Sequence, residues 1–217
     1  MNYLYWDEKI ISDFSEKNIS DMYGRGYVFT RIGLGTMHET RSVRIDLHKF
    51  TANSENRRIL RKGESVHISK HPIPFADYDW KIAKLAKDFY DKKTDNAFSA
   101  NKIKQIITSK QNFNTLLIFS VENIPQGYAI CYENSNMIHY SYPFYDLENA
   151  SKDMGLIMMN KAIEYAKVSG LSYIYLGSLQ RSGDIYKLQF EGLEWFNGTD
   201  WSCDIEKAKI ELDIKTK

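Results

Sequence analysis

Cysteine is scarce in this sequence of 217 residues, which contains only Cys131 and Cys203. Two thiols are too few for a disulfide scaffold or for a zinc site made of cysteines alone. Long apolar runs are also missing, because stretches such as residues 115–121 are far shorter than the roughly 20 residues that cross a bilayer. The amino terminus has no basic start followed by an apolar stretch. We therefore expect a cytoplasmic protein with no secretory signal and no membrane partner.

The rest of the composition is that of an ordinary globular protein, with 43% hydrophobic and 26% charged residues. A chain of this length buries a real core and forms one large domain or two small ones. Its apolar content is too high for a wholly disordered chain.

The net charge is only +1, but the charges are unevenly distributed. Residues 41–110 hold 16 Lys and Arg against 8 Asp and Glu, whereas the remainder holds 13 against 20. A basic segment in a neutral protein indicates a local site for a polyanion. Its densest cluster comprises Arg57, Arg58, Arg61 and Lys62. The alternative is a solvated lysine-rich helix face, which the helical spacing of the lysines in residues 80–93 favours for that stretch.

Alternation of apolar and polar residues predicts strands in both halves of the chain. In the first half these are residues 26–32 and 42–47, joined by residues 33–39 as a hairpin-like loop. The second half adds residues 115–121, 126–132, 137–142 and 171–176, and a hairpin that pairs 193–196 with 201–203.

Capping residues and helical periodicity predict helices at residues 54–61, 77–92, 99–109 and 154–168. The element order of residues 115–176 is that of the acetyltransferase-type α/β fold: three successive strands, a loop, a helix and a further strand. We therefore expect a mixed sheet of this type flanked by helices, preceded by a basic strand–helix extension.

The stretch from Arg41 to Lys62 combines a short basic strand with an Arg-rich run. This order resembles the N-terminal signature of the arginyl- and leucyl-tRNA–protein transferases. There, an Arg-Val-x-Ile type strand precedes a Phe, a Ser-Arg-Ser-Gln-(Arg/Lys)-Arg run and a basic tail. The matching residues are Arg44, Phe50, Ser54, Arg57 and Arg58.

A second stretch, Tyr175-Leu176-Gly177 followed by a loop and Tyr186-Lys187-x-x-Phe190, resembles the C-terminal signature of the same family. The family's Pro in this signature is Gly192 here. Gly155, at the start of a predicted helix, is similar to the family's Ser-Leu-Gly. The resemblance implies a transferase-family region at residues 1–75 and an acetyltransferase-like domain at residues 76–217, and we expect the two to form one compact unit.

One departure from the family concerns its cysteine cluster, which includes a Cys-x-x-Cys just before the first motif. This chain has no cysteine before Cys131, and residues 33–39 look like a shortened version of that loop. Thr36, Met37 and His38 lack the softness of thiolates, so we expect no metal and no iron–sulfur function here.

The resemblance implies an enzyme that transfers an amino acid from aminoacyl-tRNA to the N-terminal α-amine of a protein or peptide. The aminoacyl-tRNA is a co-substrate, and no cofactor is implied. The ester is already activated and an α-amine has a pKa of about 8. Such a site needs orientation, modest proton removal and donors for the developing oxyanion more than a strong nucleophile.

Three residues near the second motif are candidate catalytic residues. Lys187 would hold terminal phosphates or neutralise the oxyanion, unless it is a surface lysine. Tyr186 would position the ester or stack on the terminal adenine, unless it packs in the core. Asp184 would bind an amino group, although an Asp between small residues is more often a turn residue.

Further residues are expected to contact tRNA or substrate, because guanidinium groups suit phosphates and the aromatic run of residues 139–145 suits a pocket wall. His139 within that run is more typical of a structural histidine. The candidate binding residues are Arg44, Arg57, Arg58, Arg61, Lys62, Tyr175, Gly155 and Tyr142.

Two alternatives remain. The first is an acetyl-CoA-dependent N-acetyltransferase, whose pyrophosphate loop would fall at residues 152–157. Ile157 would crowd that loop and Asp153 would repel the pyrophosphate. The second is a non-catalytic tRNA-binding relative. The missing cysteines favour it, as does the loop before Tyr186-Lys187, where Gly183-Asp184-Ile185 stands in place of the family's usual Lys-Met or Ala-Met.

Overall fold

The computed structural model describes residues 3–93 and 98–214. The expected mixed α/β architecture is confirmed, since a large mixed sheet is flanked by helices. The chain divides into two compact units. One comprises the residues up to 53, residues 134–139 and those from 166 onward, and the other comprises residues 54–133 and 140–165. None of the helices in the described part of the chain has the length and apolar character needed to cross a bilayer.

The first unit contains two groups of strands. A small antiparallel sheet has the order β1–β3–β2, with β1 at Asp7–Ile10, β2 at Tyr27–Phe29 and β3 at Thr36–Glu39. The other strands in this unit have the order β11–β10–β4–β9–β8. They are β4 (Ser42–Asp46), the start of β8 (Met137–Tyr145), β9 (Tyr173–Ser178), β10 (Leu193–Phe196) and β11 (Trp201–Ser202).

The pair β8–β9 is parallel and places His139 opposite Tyr175, whereas β4 pairs antiparallel with both β9 and β10. The helical elements that lie wholly in the first unit are α1 (Glu16–Gly24), a 3₁₀-helix (Ser182–Gln189) and α6 (Ile205–Ile214). Ser15 caps α1, because its hydroxyl accepts a hydrogen bond from the Asn18 N–H at 3.3 Å.

The second unit combines strands in the order β8–β7–β6–β5 with four helices. Its strands are β5 (His67–Pro72), β6 (Thr115–Val121), β7 (Ile124–Glu133) and the remainder of β8. Its helices are α2 (Ser54–Lys62), α3 (Trp80–Lys93), α4 (Ala100–Thr108) and most of α5 (Met154–Val168). The core of this unit includes the buried residues 116–119 of β6, residues 128–132 of β7, and Ile103, Ile106 and Ile107 of α4.

Several predicted elements are confirmed at nearly the predicted bounds, among them α4 with its Ser99 cap, β6, α5 and the β10–β11 hairpin. The loop predicted at residues 33–39 is wrong, because residues 36–39 form the central strand β3 of the small sheet. Its partner β1 is the polar sequence Asp-Glu-Lys-Ile, which carries no strand pattern. Tertiary pairing on both sides, rather than local pattern, makes β3 a strand.

Candidate functional site at the end of β9

The candidate site lies in the first unit, where β9 ends and the 3₁₀-helix begins. Gly177 has a φ of +80°, a left-handed conformation that suits glycine. Leu179 is fully buried and its N–H donates to the Arg41 carbonyl at 2.9 Å. Asp184 then fixes the start of the 3₁₀-helix, because its Oδ2 accepts from the N–H groups of Gln180 (2.9 Å) and Arg181 (3.2 Å). The connection between strand and helix is therefore held in place by its own residues.

Lys187 is buried at this point, with only 9% of its surface exposed, and is not the surface lysine of the alternative interpretation. Its Nζ donates to the Ser178 carbonyl at 2.8 Å and lies 3.3 Å from Asp184 Oδ1. Asp184 is equally buried, so the two charges compensate each other. An ammonium group has three N–H donors. Two of them have partners among the described residues, which leaves one for a ligand.

A hydrogen-bond network beside Lys187 includes residues that the sequence analysis did not identify. Gln180 Nε2 lies within 3.1 Å of the Leu4 carbonyl, Thr40 Oγ1 and Ser178 Oγ, and Gln180 Oε1 accepts from the Leu4 N–H at 2.7 Å. The Ser178 hydroxyl donates to the hydroxyl of the half-exposed Tyr3 at 3.4 Å. Only the position of Gln180 shortly after Tyr175-Leu176-Gly177 would have drawn attention to it.

Tyr186, the other residue of the Tyr-Lys motif, lies on the exposed side of the 3₁₀-helix. Its side chain is 42% exposed, so the alternative of core packing does not hold. Lys187 Nζ lies 5.9 Å from the centre of its ring. An exposed aromatic ring next to a buried cation is available for stacking.

His139 is a buried histidine of the first unit. Its Nδ1 lies 2.9 Å from the Tyr23 hydroxyl, which also accepts a hydrogen bond from the Phe29 N–H. Burial, together with the positive charge of Lys187, lowers the pKa of His139 to about 3. The imidazole is therefore neutral at physiological pH, which agrees with a structural role.

Arg44 is held within a cluster of aromatic and acidic side chains. Its Nε and Nη2 lie 2.8 and 2.7 Å from Glu194 Oε2. The guanidinium sits 3.9 Å from the centre of the Trp201 ring and 4.3 Å from that of Tyr173, in cation–π geometry. Its Nη1 donates to the hydroxyl of the buried Tyr175 at 3.4 Å. For Arg44 and Tyr175, contact with substrate or tRNA stays a prediction.

The basic cluster predicted from the sequence lies in the second unit, on α2. Arg58 pairs with Glu55 at 2.5 Å, and Lys62 pairs with Asp153 just before α5. The ion pair with Lys62 lowers the pKa of Asp153. Arg57 and Arg61 are exposed. This face of the helix therefore presents guanidinium groups to solvent, although two of its cations already have carboxylate partners.

Gly155 and Tyr142, also in the second unit, are placed by aromatic packing. Gly155 lies in the first turn of α5, where an added Cβ would come 3.2 Å from the Tyr145 hydroxyl. The Tyr142 ring packs edge-on against Phe98 and Phe113, with centroids 5.1 and 5.3 Å apart. Their predicted binding roles stay predictions.

The two cysteines lie apart in environment as well as in sequence. Cys131 is buried in β7, whereas Cys203 is exposed after β11, and neither forms a disulfide. Within residues 3–93 and 98–214, no three His, Cys, Asp or Glu side chains come together as a metal site.

Comparison with solved structures defines the fold. The chain is similar to L-PGS from Bacillus licheniformis, with a TM-score of 0.50 and 14% identity over 75% of this chain and 50% of that one. It thus spans about half the length of L-PGS. A GCN5-related glucosamine N-acetyltransferase region of a fungal multi-domain GH3 β-N-acetylglucosaminidase gives a TM-score of 0.47 and 9% identity, over 86% of this chain and 22% of that one. The fold class expected from the sequence, a large mixed sheet flanked by helices, is confirmed by the strand order of the structure itself.

Comparison with known sequences identifies one enzyme of related sequence. The chain is 25% identical over 172 residues to an aspartate/glutamate leucyltransferase of Saccharophagus degradans (strain 2-40), covering 73% of this chain and 69% of that enzyme. No protein-family model matches the chain.

Proposed function

We propose that this protein transfers an amino acid from aminoacyl-tRNA to the N-terminal α-amine of a protein or peptide. In this proposal it is a divergent relative of the arginyl- and leucyl-tRNA–protein transferases. The observation that carries the proposal is the similarity to a leucyltransferase over 172 residues, since that match spans most of both chains. The acetyltransferase-like fold agrees with acyl transfer, although folds of this kind host many reactions.

The geometry around Lys187 supports the chemistry of such a transfer. The acceptor amine attacks the ester carbonyl, an amide bond forms, the ester C–O bond breaks, and the tRNA hydroxyl leaves with a proton taken from the amine. Negative charge develops on the carbonyl oxygen in between. A buried ammonium held by Ser178 and Asp184, with one N–H unoccupied among the described residues, is a fixed donor for that oxygen. Its low-dielectric surroundings strengthen the interaction.

Two further features suit a tRNA substrate. Tyr186 presents an exposed ring next to Lys187, and stacking of a base on an aromatic ring is worth about 1–3 kcal/mol. Arg57 and Arg61 on α2 are exposed guanidinium groups suited to phosphate contacts. In this proposal Tyr186 holds the terminal adenine and α2 holds the phosphate backbone.

The second candidate function is acetyl transfer from acetyl-CoA, which the acetyltransferase-like fold itself favours. The residues before and within the first turn of α5 disfavour it. The pKa of Asp153 is lowered, so its carboxylate is ionised where the pyrophosphate would bind. Ile157 is buried and packs tightly against Gly63, where an added Cβ would come 2.3 Å from Ile157 Cγ2. The Ile157 side chain is therefore not free to move away from the pyrophosphate loop.

The experiment that tests the proposal compares thermal unfolding with aminoacyl-tRNA, deacylated tRNA and acetyl-CoA. A ligand at 100 times its dissociation constant stabilises the folded state by about 2.7 kcal/mol. We expect that stabilisation with aminoacyl-tRNA, a smaller one with deacylated tRNA, and none with acetyl-CoA. Stabilisation by acetyl-CoA alone would favour the acetyltransferase. Equal stabilisation by charged and deacylated tRNA, with no transfer, would favour a non-catalytic tRNA-binding protein.

A further inference from the structure

The second unit contains a cavity of about 900 Å³ that none of the roles above uses. This volume is within the range of small-molecule and side-chain binding sites. Helix α3 and the segment before it form one side of the cavity. Ile118 of β6, Tyr128 of β7 and the segment after β8 line the remaining walls. Phe75, Phe89 and Tyr145 add aromatic rings to the lining.

The charges that line the cavity are unbalanced. Six carboxylates and three lysines line it, and the carboxylates are Asp77, Asp79, Asp88, Asp91, Asp146 and Glu148. Asp88, Asp91 and Glu148 are neutralised by ion pairs with lysines of α3. Asp77, Asp79 and Asp146 have no Lys, Arg or His within ion-pair distance among the residues that the structure describes. Only one lining lysine, Lys81, likewise lacks an ion-pair partner there, so the cavity retains an excess of negative charge.

Tyr128 lines the same cavity and points to a ligand independently of the carboxylates. Its side chain is more than nine-tenths buried and its ring stacks on Phe144, yet its hydroxyl has no hydrogen-bond partner in residues 3–93 and 98–214. The hydroxyl is therefore open to a ligand that enters the cavity. Burial and the negative charge of Asp79 raise the pKa of Tyr128, so the hydroxyl stays neutral and able to accept a hydrogen bond.

We propose that this cavity binds an alkylammonium or alkylguanidinium group. Asp77 and Asp79 would pair with the cationic head, and the Tyr128 hydroxyl would accept one of its N–H donors. Phe89 and Tyr145, whose ring centroids are 4.9 Å apart, would contact the aliphatic stem and the face of the cation. A basic side chain of a peptide and a free polyamine both carry this chemistry. The inference is independent of the proposed aminoacyl transfer.

The test is isothermal titration calorimetry with four probes. They are spermidine and three acetylated, amidated tripeptides with Lys, norleucine or Glu between two glycines. Two variants are compared with the wild type: the double variant Asp77→Asn with Asp79→Asn, and the single variant Tyr128→Phe. The matched control is Glu64→Gln, which removes an exposed carboxylate of the same unit outside the cavity. Because both aspartates are exposed at the cavity edge, we expect the double variant to unfold thermally as the wild type does.

We expect the lysine peptide or spermidine to bind, and the norleucine and Glu peptides not to bind. The double variant should weaken that binding about tenfold or more, which is 1.4 kcal/mol, and Glu64→Gln should leave it unchanged. Tyr128→Phe should weaken it roughly threefold. Binding of the peptide alone identifies a protein segment as the ligand, and binding of spermidine alone identifies a diffusible amine. Failure of both basic probes to bind would overturn the proposal, as would unchanged binding in the double variant or equal binding of the norleucine peptide.

Discussion

Burial of the Lys187 ammonium is the residue-level feature on which the proposed chemistry depends. A lysine that donates to one carbonyl and pairs with one buried carboxylate is fixed in position before any substrate arrives. Its fixed position is useful in catalysis, because a donor that is already oriented need not reorganise in the transition state. The same burial makes Lys187 important for stability.

Replacing Lys187 by Met should therefore affect both rate and stability. We expect transfer from aminoacyl-tRNA to fall by roughly 10²-fold or more, as when one oxyanion donor is removed. Loss of one partner of a buried ion pair should lower the free energy of unfolding by about 3–5 kcal/mol, because Asp184 is left uncompensated. Urea unfolding and single-turnover transfer would measure the two effects.

The control for this variant is the double replacement Lys187→Met with Asp184→Asn. Removing both charges should recover most of the lost stability, because no buried charge is left unpaired. The rate should stay low, since the donor is still absent. A rate that recovers together with stability would show that Lys187 acts only through folding.

His139 provides a prediction about pH. Its pKa is about 3 in the folded protein and about 6.5 in an unfolded chain. The unfolded state therefore binds the proton more readily, and the stability conferred by neutral His139 is complete above pH 6.5 and is lost as the pH falls from 6.5 toward 3. The slope approaches about 1.4 kcal/mol per pH unit.

The measurement is the free energy of unfolding at pH 7.5 and at pH 5 for the wild type, His139→Gln and the exposed-histidine control His48→Gln. We expect His139→Gln to lose less stability between these pH values than the wild type, and His48→Gln to behave as the wild type. If all three proteins lose the same free energy of unfolding between pH 7.5 and pH 5, the conclusion that His139 is neutral in the folded protein is wrong.

At the scale of elements, the sequence predicted best where local pattern and tertiary role agree. Helix α5 and strand β6 have the predicted bounds, because an apolar stripe or an apolar run there coincides with the buried face. The small sheet was missed because β1 is polar and exposed, and only its pairing with β3 reveals it. The 3₁₀-helix that carries Tyr186 and Lys187 was also missed, since its start depends on the carboxylate of Asp184 rather than on periodicity.

The end of α2 gives an element-level prediction about packing. Gly63 lies against Ile157 of α5, and an added Cβ would come 2.3 Å from Ile157 Cγ2. Gly63→Ala should lower the free energy of unfolding by roughly 1–3 kcal/mol through overpacking. The matched control is Gly183→Ala, where nothing lies within 4 Å of the added Cβ and little change is expected. Equal effects of the two substitutions in urea unfolding would contradict this packing.

The exposed face of α2 gives a prediction about binding. Replacing Arg57, Arg58 and Arg61 by Glu should weaken tRNA binding across tRNA sequences and flatten its dependence on salt. Each lost phosphate contact should lower the slope of log K against log salt by about 0.7–0.9. Filter binding at several salt concentrations would measure the slope.

The control removes the same number of cations from elsewhere in the basic segment, by replacing Lys102, Lys104 and Lys110 with Glu. If α2 is the contact surface, this control should retain most of the slope. Equal slopes in both triple variants would mean that general charge, and not α2, determines binding.

At the scale of the whole molecule, the sequence predicted the fold class and located Lys187, Asp184 and Tyr186 in one short segment. It did not predict Gln180 or Tyr3, because their contacts join segments more than 170 residues apart in the chain. Nor did it predict the cavity under α3, whose lining comes from three separate stretches. Sites assembled from distant segments leave no local pattern for sequence analysis to detect.

The measurement that most directly tests the account is transfer itself. Purified protein is incubated with tRNA charged with one amino acid at a time, and with peptides that have acidic, basic or small N-terminal residues. Mass spectrometry should show a gain of one aminoacyl residue on a peptide with a free α-amine, and none on its N-acetylated form. Acetyl-CoA in place of aminoacyl-tRNA should give no product. Acetylated peptides from acetyl-CoA, with no gain from any aminoacyl-tRNA, would contradict the account.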